Sequence, residues 1–461
     1  MYKKIKKYLA RDVYPFHMPG HKRNPAFLPQ NLLELDMTEI PGLDVLSSPT
    51  GIIYDLQNKI ASFYGANRSF FLVNGSSAGV IAAICATCNN SDTLVVPRNA
   101  HTSVYNGMVL SGAEPLYIMP EITPDGLVGG VCPHTLHDIP YGATVLVVSP
   151  TYEGFVSNIA AIANVVHSRG GILIVDEAHG AHFSFDSSFP LSAIKNGADI
   201  VVQSLHKTLP APSQTALLHI NGNRVDIGRV QFYVNALQTT SPSYMLMSAC
   251  DYMLRKLWDD PNYFANYITL LNNIYTVLPG EGSNVALRLS GVQRIGMQAI
   301  FAIDFGKLLF TVHTATHGEE IAKIMAEEYK VQMEMAADRH ILAMTSVADT
   351  AEGFERLNAA VNGINEKYAA TSDSYTPYWV YPSQIALNAD VYHNNASHPK
   401  NCITPRDAIN SPSIIVPWEE AAGKISAELI AKYPPGVAII APGERIAHNL
   451  PKLQKTVRVV Y

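Results

Sequence analysis

Short apolar runs, many of them separated by stretches of helical pattern, constrain this chain more than any other feature. Phe70–Val73, Thr93–Val96, Glu114–Ile118, Thr144–Val148, Ile172–Val175 and Ile200–Gln203 are rich in valine, isoleucine and leucine, and Ala216–Ile220 is a further candidate. Runs of this length with so little charge read as strands buried on both faces. Crossover helices between them make a mostly parallel sheet covered on both sides. The expected helices are Ile52–Tyr64, with Ile53, Leu56, Ile60 and Phe63 on one face, then Val156–Ser168, Leu191–Asn196 and Met245–Trp258.

Two of these runs end in groups that do chemistry. One closes on Asp176-Glu177-Ala178-His179 and the other on Ser204-Leu205-His206-Lys207, the lysine 31 positions after the aspartate. Open α/β sheets bind ligands beyond the carboxyl ends of their strands, so both segments should face one crevice. A lysine there can condense with the aldehyde of pyridoxal phosphate. An acid can pair with the protonated pyridine nitrogen, which makes the ring an electron sink. Alone, Lys207 would read as a solvated charge and Asp176 as a helix cap; together they favour the cofactor. Ser204 would bond the phosphate, His206 the phosphate or the substrate carboxylate, and His179 the cofactor phenolic oxygen or that carboxylate. Asp-Glu-Ala-His also resembles a nucleotide-helicase motif, but no Gly-rich phosphate loop precedes it.

Asn74-Gly75-Ser76-Ser77-Ala78-Gly79 joins a strand to a helix. Amides at the helix start, with the hydroxyls of Ser76 and Ser77, make an anion cup around Gly75; a plain helix cap is the alternative. His101 could lie flat on the pyridine ring or be an ordinary core histidine. Ser149-Pro150-Thr151-Tyr152-Glu153-Gly154 places Thr151 near the cofactor and offers Tyr152 and Glu153 to the substrate.

With 461 residues the chain is long enough for several domains. The expected division is an arm at 1–50, a cofactor-binding large domain at 51–290, a small α/β domain at 291–370 and a C-terminal domain at 371–461. The proline-rich arm should be irregular. Phe301–Asp304 and Val331–Met335 read as strands, Gly318–Glu328 and Gly353–Tyr368 as helices, Thr371–Tyr381 as a linker and Glu419–Ile430 as a helix. A net charge of −6 gives no reason to expect a nucleic-acid partner. No run of apolar residues is long enough for a membrane span. Five cysteines, including Cys85-x-x-Cys88 in an apolar helical run, read as structural thiols; no metal site is expected. The odd count and the absence of a secretory signal point to the cytoplasm.

The chain resembles the bacterial Orn/Lys/Arg decarboxylase family, in a short form with the aspartate-aminotransferase-like fold (fold type I). The resemblance is carried by His17-Met18-Pro19-Gly20-His21-Lys22, Thr38-Glu39-Ile40-Pro41-Gly42-Leu43-Asp44, the Asn74–Gly79 turn, Asp176–His179 and Ser204–Lys207. Leu237–Tyr244, Tyr433-Pro434-Pro435-Gly436 and Pro442-Gly443-Glu444 belong to it too. It implies pyridoxal phosphate on Lys207, Asp176 on the ring nitrogen, His101 stacked on the ring, and Ser76, Ser77, Ser204 and His206 on the phosphate. It also implies a homodimer or small homo-oligomer in which Thr240 and Ser241 approach the partner's phosphate. The chain departs from the family pattern at Val45, where an acid is usual, and at Ser47 and Ser48, where histidine is common. The expected reaction is decarboxylation of a basic amino acid, arginine or lysine before ornithine, with Glu444 or Glu153 pairing the distal cation. The alternatives are a transaminase or lyase, with Arg339 or Arg445 on the substrate carboxylate, and a non-catalytic cofactor-binding relative.

Overall fold

The computed structural model describes residues 1–370, 403–432, 436–448, 450 and 452–461. After β1 (Tyr14–Phe16), the chain forms β2 (Arg68–Leu72), β3 (Thr93–Pro97), β4 (Glu114–Ile118), β5 (Thr144–Val148), the short β6 (Phe155–Val156), β7 (Ile172–Asp176), β8 (Ile200–Ser204) and β9 (Ala216–Ile220). Seven of them make the main sheet, in the order β2-β9-β8-β7-β5-β3-β4. The neighbours from β8 to β4 run parallel, and β9 is antiparallel to both of its partners. This is the mostly parallel α/β sheet that the apolar runs dictate.

The two faces of the sheet feed two cores. Val145, Val147, Leu173, Val175 and Val201 point into one, with Ile159, Ile162 and Val166 of the helix Ile159–Ser168. The alternate residues Leu146, Ile174 and Val202 enter the other, with the helices Gly75–Thr87 and Thr102–Ser111. The helix Gly75–Thr87 lies so close that a Cβ on Gly79 would sit 2.6 Å from Leu72 Cδ1. Glycine there permits the approach that aims this helix's first turn at the strand ends.

A second sheet packs beside the first. Its strands are β10 (Leu287–Leu289), β12 (Lys307–Val312), β14 (Met335–Ala337) and β15 (His340–Met344), ordered β10-β12-β15-β14 and antiparallel throughout. The helices Gly318–Glu327 and Ala351–Lys367 cover it. Between these strands, β11 (Ala302–Ile303) pairs with β6, and β13 (Val331–Met333) pairs in parallel with β1 of the arm. Near the C-terminus, Ser413–Pro417 pairs with Thr456–Val460, and Ile430–Lys432 with Val437–Ile440, around Trp418 and Ile446.

Several elements differ from expectation. The arm is not irregular throughout: Tyr2–Leu9 is helical with no buried residue, and β1 is a true strand. The expected helix at 156–168 starts at Ile159, where Asn158 Oδ1 accepts the Ala161 N–H, because Phe155 and Val156 are claimed by β11. Leu191–Asn196 is a single turn, closed at Gly197 with φ +90°. Glu419–Ile430 is not a helix. Gly423 takes φ +80°, and the Gly423, Ser426 and Ala427 amides donate to Ile446, Glu444 and Arg458 on other segments. The expected linker Thr371–Tyr381, Cys402 and the Tyr433–Pro435 motif lie outside the described residues.

Candidate active site

The carboxyl ends of β5, β7 and β8, the N-terminus of the helix Gly75–Thr87, the arm and the turn between β13 and β14 enclose a cavity of about 470 Å³. Lys207 reaches it from the single helical turn Leu205–Thr208 that follows β8. Asp176 reaches it as the last residue of β7, with Oδ1 accepting the Ala178 N–H at 3.1 Å. Burial lowers the Lys207 pKa from its ordinary value; the negative charges of Asp176 and Glu334 oppose the shift.

His179 stands between two lysines. Its Nε2 is 3.1 Å from Lys207 Nζ and its Nδ1 is 2.7 Å from Lys307 Nζ. Burial, then the charges of Lys207 and Lys307, hold this imidazole neutral, well below its usual pKa. Burial also pushes Lys307 down to about 8, against the pull of Asp304 and Glu334. His101 caps the helix Thr102–Ser111, its Nδ1 accepting the Ser103 N–H at 3.2 Å, which fixes the ring's orientation. His206 Nδ1 lies 2.9 Å from the Thr215 carbonyl and must donate to it, so Nε2 is left as the acceptor nitrogen of the neutral ring.

Gly75, Ser76 and Ser77 form the first turn of their helix and line the cavity, and Ser204 Oγ donates to Ser76 Oγ at 2.8 Å. Tyr152 and Glu153 also line it. Thr151 does not. It is buried and closes the turn that presents them, its Oγ1 accepting the Phe155 N–H. Thr240 and Ser241 are exposed and outside the cavity of this chain. Glu444 lies elsewhere too: both carboxylate oxygens face Arg98, at 2.6 and 3.2 Å, and one also accepts the Ala441 N–H. Val45, Ser47 and Ser48 are exposed, whereas Asp44 beside them accepts the amides of Thr50, Gly51 and Ile53 and so caps the helix Ile52–Tyr64.

Three cavity groups were not expected, and neither was Lys307, which contacts His179 without lining the cavity. Glu334 accepts the Tyr152 hydroxyl at 2.8 Å and the Met18 N–H at 2.9 Å. Lys307 comes up to His179 because the 151–155 turn is clipped to β11 and β12, where a Cβ on Gly154 would lie 2.7 Å from Lys307 Cβ. Met18 comes from the arm, and Asn99 has its Oδ1 buried without a hydrogen-bond partner. A lone acid in the apolar run Val331–Ala337, and a lysine opening the buried strand Lys307–Val312, were the available signals.

The donor set fits pyridoxal phosphate. Hydroxyls and a helix N-terminus suit a phosphate, a buried acid suits a pyridinium nitrogen, and an amine of lowered pKa completes the set. The family model for Orn/Lys/Arg decarboxylase, major domain, matches residues 1–260, and that for the C-terminal domain of the same enzymes matches residues 387–459. The chain belongs to the Orn/Lys/Arg decarboxylase family. Within that family, the arginine decarboxylase of Bacillus subtilis (strain 168) is 31% identical over 97% of this chain and 91% of its own length. Among solved structures, the Francisella novicida lysine decarboxylase LdcF superposes with TM-score 0.73 at 18% identity, covering 95% of this chain and 76% of that one. A structure of SPT with PLP matches at TM-score 0.53 and 14% identity over 77% of this chain and 87% of that one. The fold is therefore fold type I, the architecture of pyridoxal-phosphate enzymes.

Proposed function

We propose that this decarboxylase acts on arginine or lysine with pyridoxal phosphate as its cofactor, giving agmatine or cadaverine. One observation carries the reading: a single cavity holds Lys207, Asp176, His101 and His179, with Glu153 and Glu334 as further carboxylates. Bound there, pyridoxal phosphate supplies the electron sink for the pair left at Cα when carbon dioxide departs. Lys207 would provide the amine that holds the cofactor. Asp176 would keep a proton on the ring nitrogen, and His101 would cover the ring. Ser76, Ser77, Ser204 and His206 hold the phosphate, and Lys207 or His206 returns a proton to Cα. The distal cation finds Glu334 or Glu153; Glu444 is occupied by Arg98.

Arginine is the first substrate to test, because four of the five relatives at 30–32% identity over nearly the whole chain are named arginine decarboxylases, the fifth being the uncharacterized YaaO of Bacillus subtilis. The transaminase alternative is weakened by its arginines. Arg339 donates to the Thr314 carbonyl and Arg445 to that of Gly423, and neither lines the cavity. The four-part division of the chain at 50, 290 and 370, a cytoplasmic location and a homodimer complete the proposal. Among the described residues no helix is long and apolar enough to cross a membrane.

The test uses carboxyl-labelled arginine and lysine with the cofactor-loaded protein. Labelled carbon dioxide with the matching amine is expected, and Lys207→Ala should lower the rate on the order of a thousandfold or more. Release from neither substrate by fully loaded protein would overturn the reading in favour of a transaminase or a non-catalytic relative.

A further inference from the structure

His179 makes a hydrogen-bond demand that its two lysines cannot both meet as ammonium ions. A neutral imidazole has one N–H and one lone pair. An ammonium can only donate, so it can serve the imidazole nitrogen that carries the lone pair and not the other. The row Lys307 Nζ, His179, Lys207 Nζ, with contacts of 2.7 and 3.1 Å, therefore needs one lysine as the neutral amine.

The surroundings decide which one. Lys307 faces Asp304, Glu334 and Glu153, has the Tyr152 carbonyl at 3.3 Å as a second acceptor, and lies 5.3 Å from the centre of the Tyr152 ring. Lys207 faces Asp176 and Glu334, and among its described hydrogen bonds has only His179. His206 and His101 face His179 from the other sides. The cation is best placed on Lys307. His179 Nδ1 then accepts from it, and His179 Nε2–H donates to the lone pair of Lys207.

We propose that Lys307 is a positioning residue which, through His179, holds Lys207 as the neutral amine that attacks the cofactor's carbonyl carbon, the carbonyl oxygen leaving as water with the two amine protons. The proposal rests on Lys207 being the cofactor lysine. It adds that a residue of the second sheet, 100 positions further along the chain, sets the form in which Lys207 is presented. Two like charges joined through one imidazole also disfavour each other's protonation, so removing Lys307 should make Lys207 harder to deprotonate.

The experiment measures cofactor capture rather than turnover. Full-length protein, freed of cofactor with a carbonyl scavenger, is given pyridoxal phosphate across a pH series. It is then reduced with borohydride, and the adduct on the Lys207 peptide is quantified. Lys307→Met should move the midpoint of capture upward by roughly one pH unit. Lys307→Gln, which keeps a donor for His179 without the charge, guards against misfolding of the methionine variant and should move it in the same direction. Lys307→Arg, which keeps the charge, should restore the wild-type midpoint. Superimposable profiles for wild type and a folded Lys307→Gln would overturn the proposal while leaving Lys207 as the cofactor lysine. Failure of the wild type to form the adduct at any pH would remove both readings together.

Discussion

A lysine buried in a cavity usually keeps a carboxylate within hydrogen-bonding distance; Lys207 has a histidine instead. That choice leaves its amine uncommitted to an ion pair, as condensation with an aldehyde requires. Glu334 is the complementary case. It holds two hydrogen bonds, and its carboxylate has lone pairs left for an incoming cation. Glu334→Gln should lower kcat/KM for the basic substrate on the order of a hundredfold while cofactor capture on Lys207 persists. An unchanged kcat/KM would transfer the cation-reading role to Glu153. The convergence of Asp176 and Lys207 on one cavity was legible from the sequence because each ends a buried strand, and strand ends of a parallel sheet share an edge. Glu334 and Lys307 were not, because they belong to the second sheet and only packing brings them in. Glu444 was misread for a related reason: a Pro-Gly turn says that an acid is presented, not what it meets.

At the level of elements, the turn after β7 carries Glu177 beside Asp176 but sends it the opposite way. Its carboxylate accepts from Ala193 N–H, Ser192 Oγ and Gln203 Nε2 inside the protein. Burial raises its pKa from 4.5 to about 7, the three donors resisting. The folded chain thus keeps this proton at pH values where the unfolded chain has lost it. The site's contribution to stability falls as pH rises from about 4.5 to about 7. Glu177→Gln should remove that decline, so the difference in urea midpoint between variant and wild type should change across this window. A constant difference would refute the assignment. The same level explains which elements the sequence displayed. Strands β5, β7 and β8 announce themselves because both faces are buried. The segment 419–430 has good helix formers but gives its amides to distant carbonyls, a tertiary decision that local propensity does not register.

Across the whole molecule, the C-terminal unit is tied to the main sheet at the cavity rim. Arg98, just past β3, is nearly inaccessible and pairs with Glu444, and the Gly436 carbonyl accepts the Thr102 N–H beside His101. Val437 itself lines the cavity. Glu444→Ala leaves a buried guanidinium without its carboxylate and should destabilise the protein by about 3 kcal/mol. Thermal unfolding would register this, and an unchanged midpoint would contradict it. The exposed Thr240 and Ser241 belong to the proposed dimer. Light scattering at micromolar concentration should give at least twice the chain mass, and a fully active monomer would refute a shared site.

The arm's anchors also carry a timetable. Gly20 lies against the Lys207 turn so closely that a Cβ would fall 2.5 Å from the Leu209 carbonyl oxygen. Met18, Lys22 and Gly20 bond to Glu334, Met344 and Ser346, which are 316, 322 and 326 residues later in the chain. At a ribosome's pace of roughly 5–20 residues per second, the arm waits about a quarter of a minute to a minute for these partners to be made. The main sheet, with Lys207 on its edge, emerges from the exit tunnel well before the arm can dock. Until then only contacts such as that of the Gly20 N–H with the His206 carbonyl can hold the arm over the Lys207 turn, so a segment made early is among the last to be fully anchored.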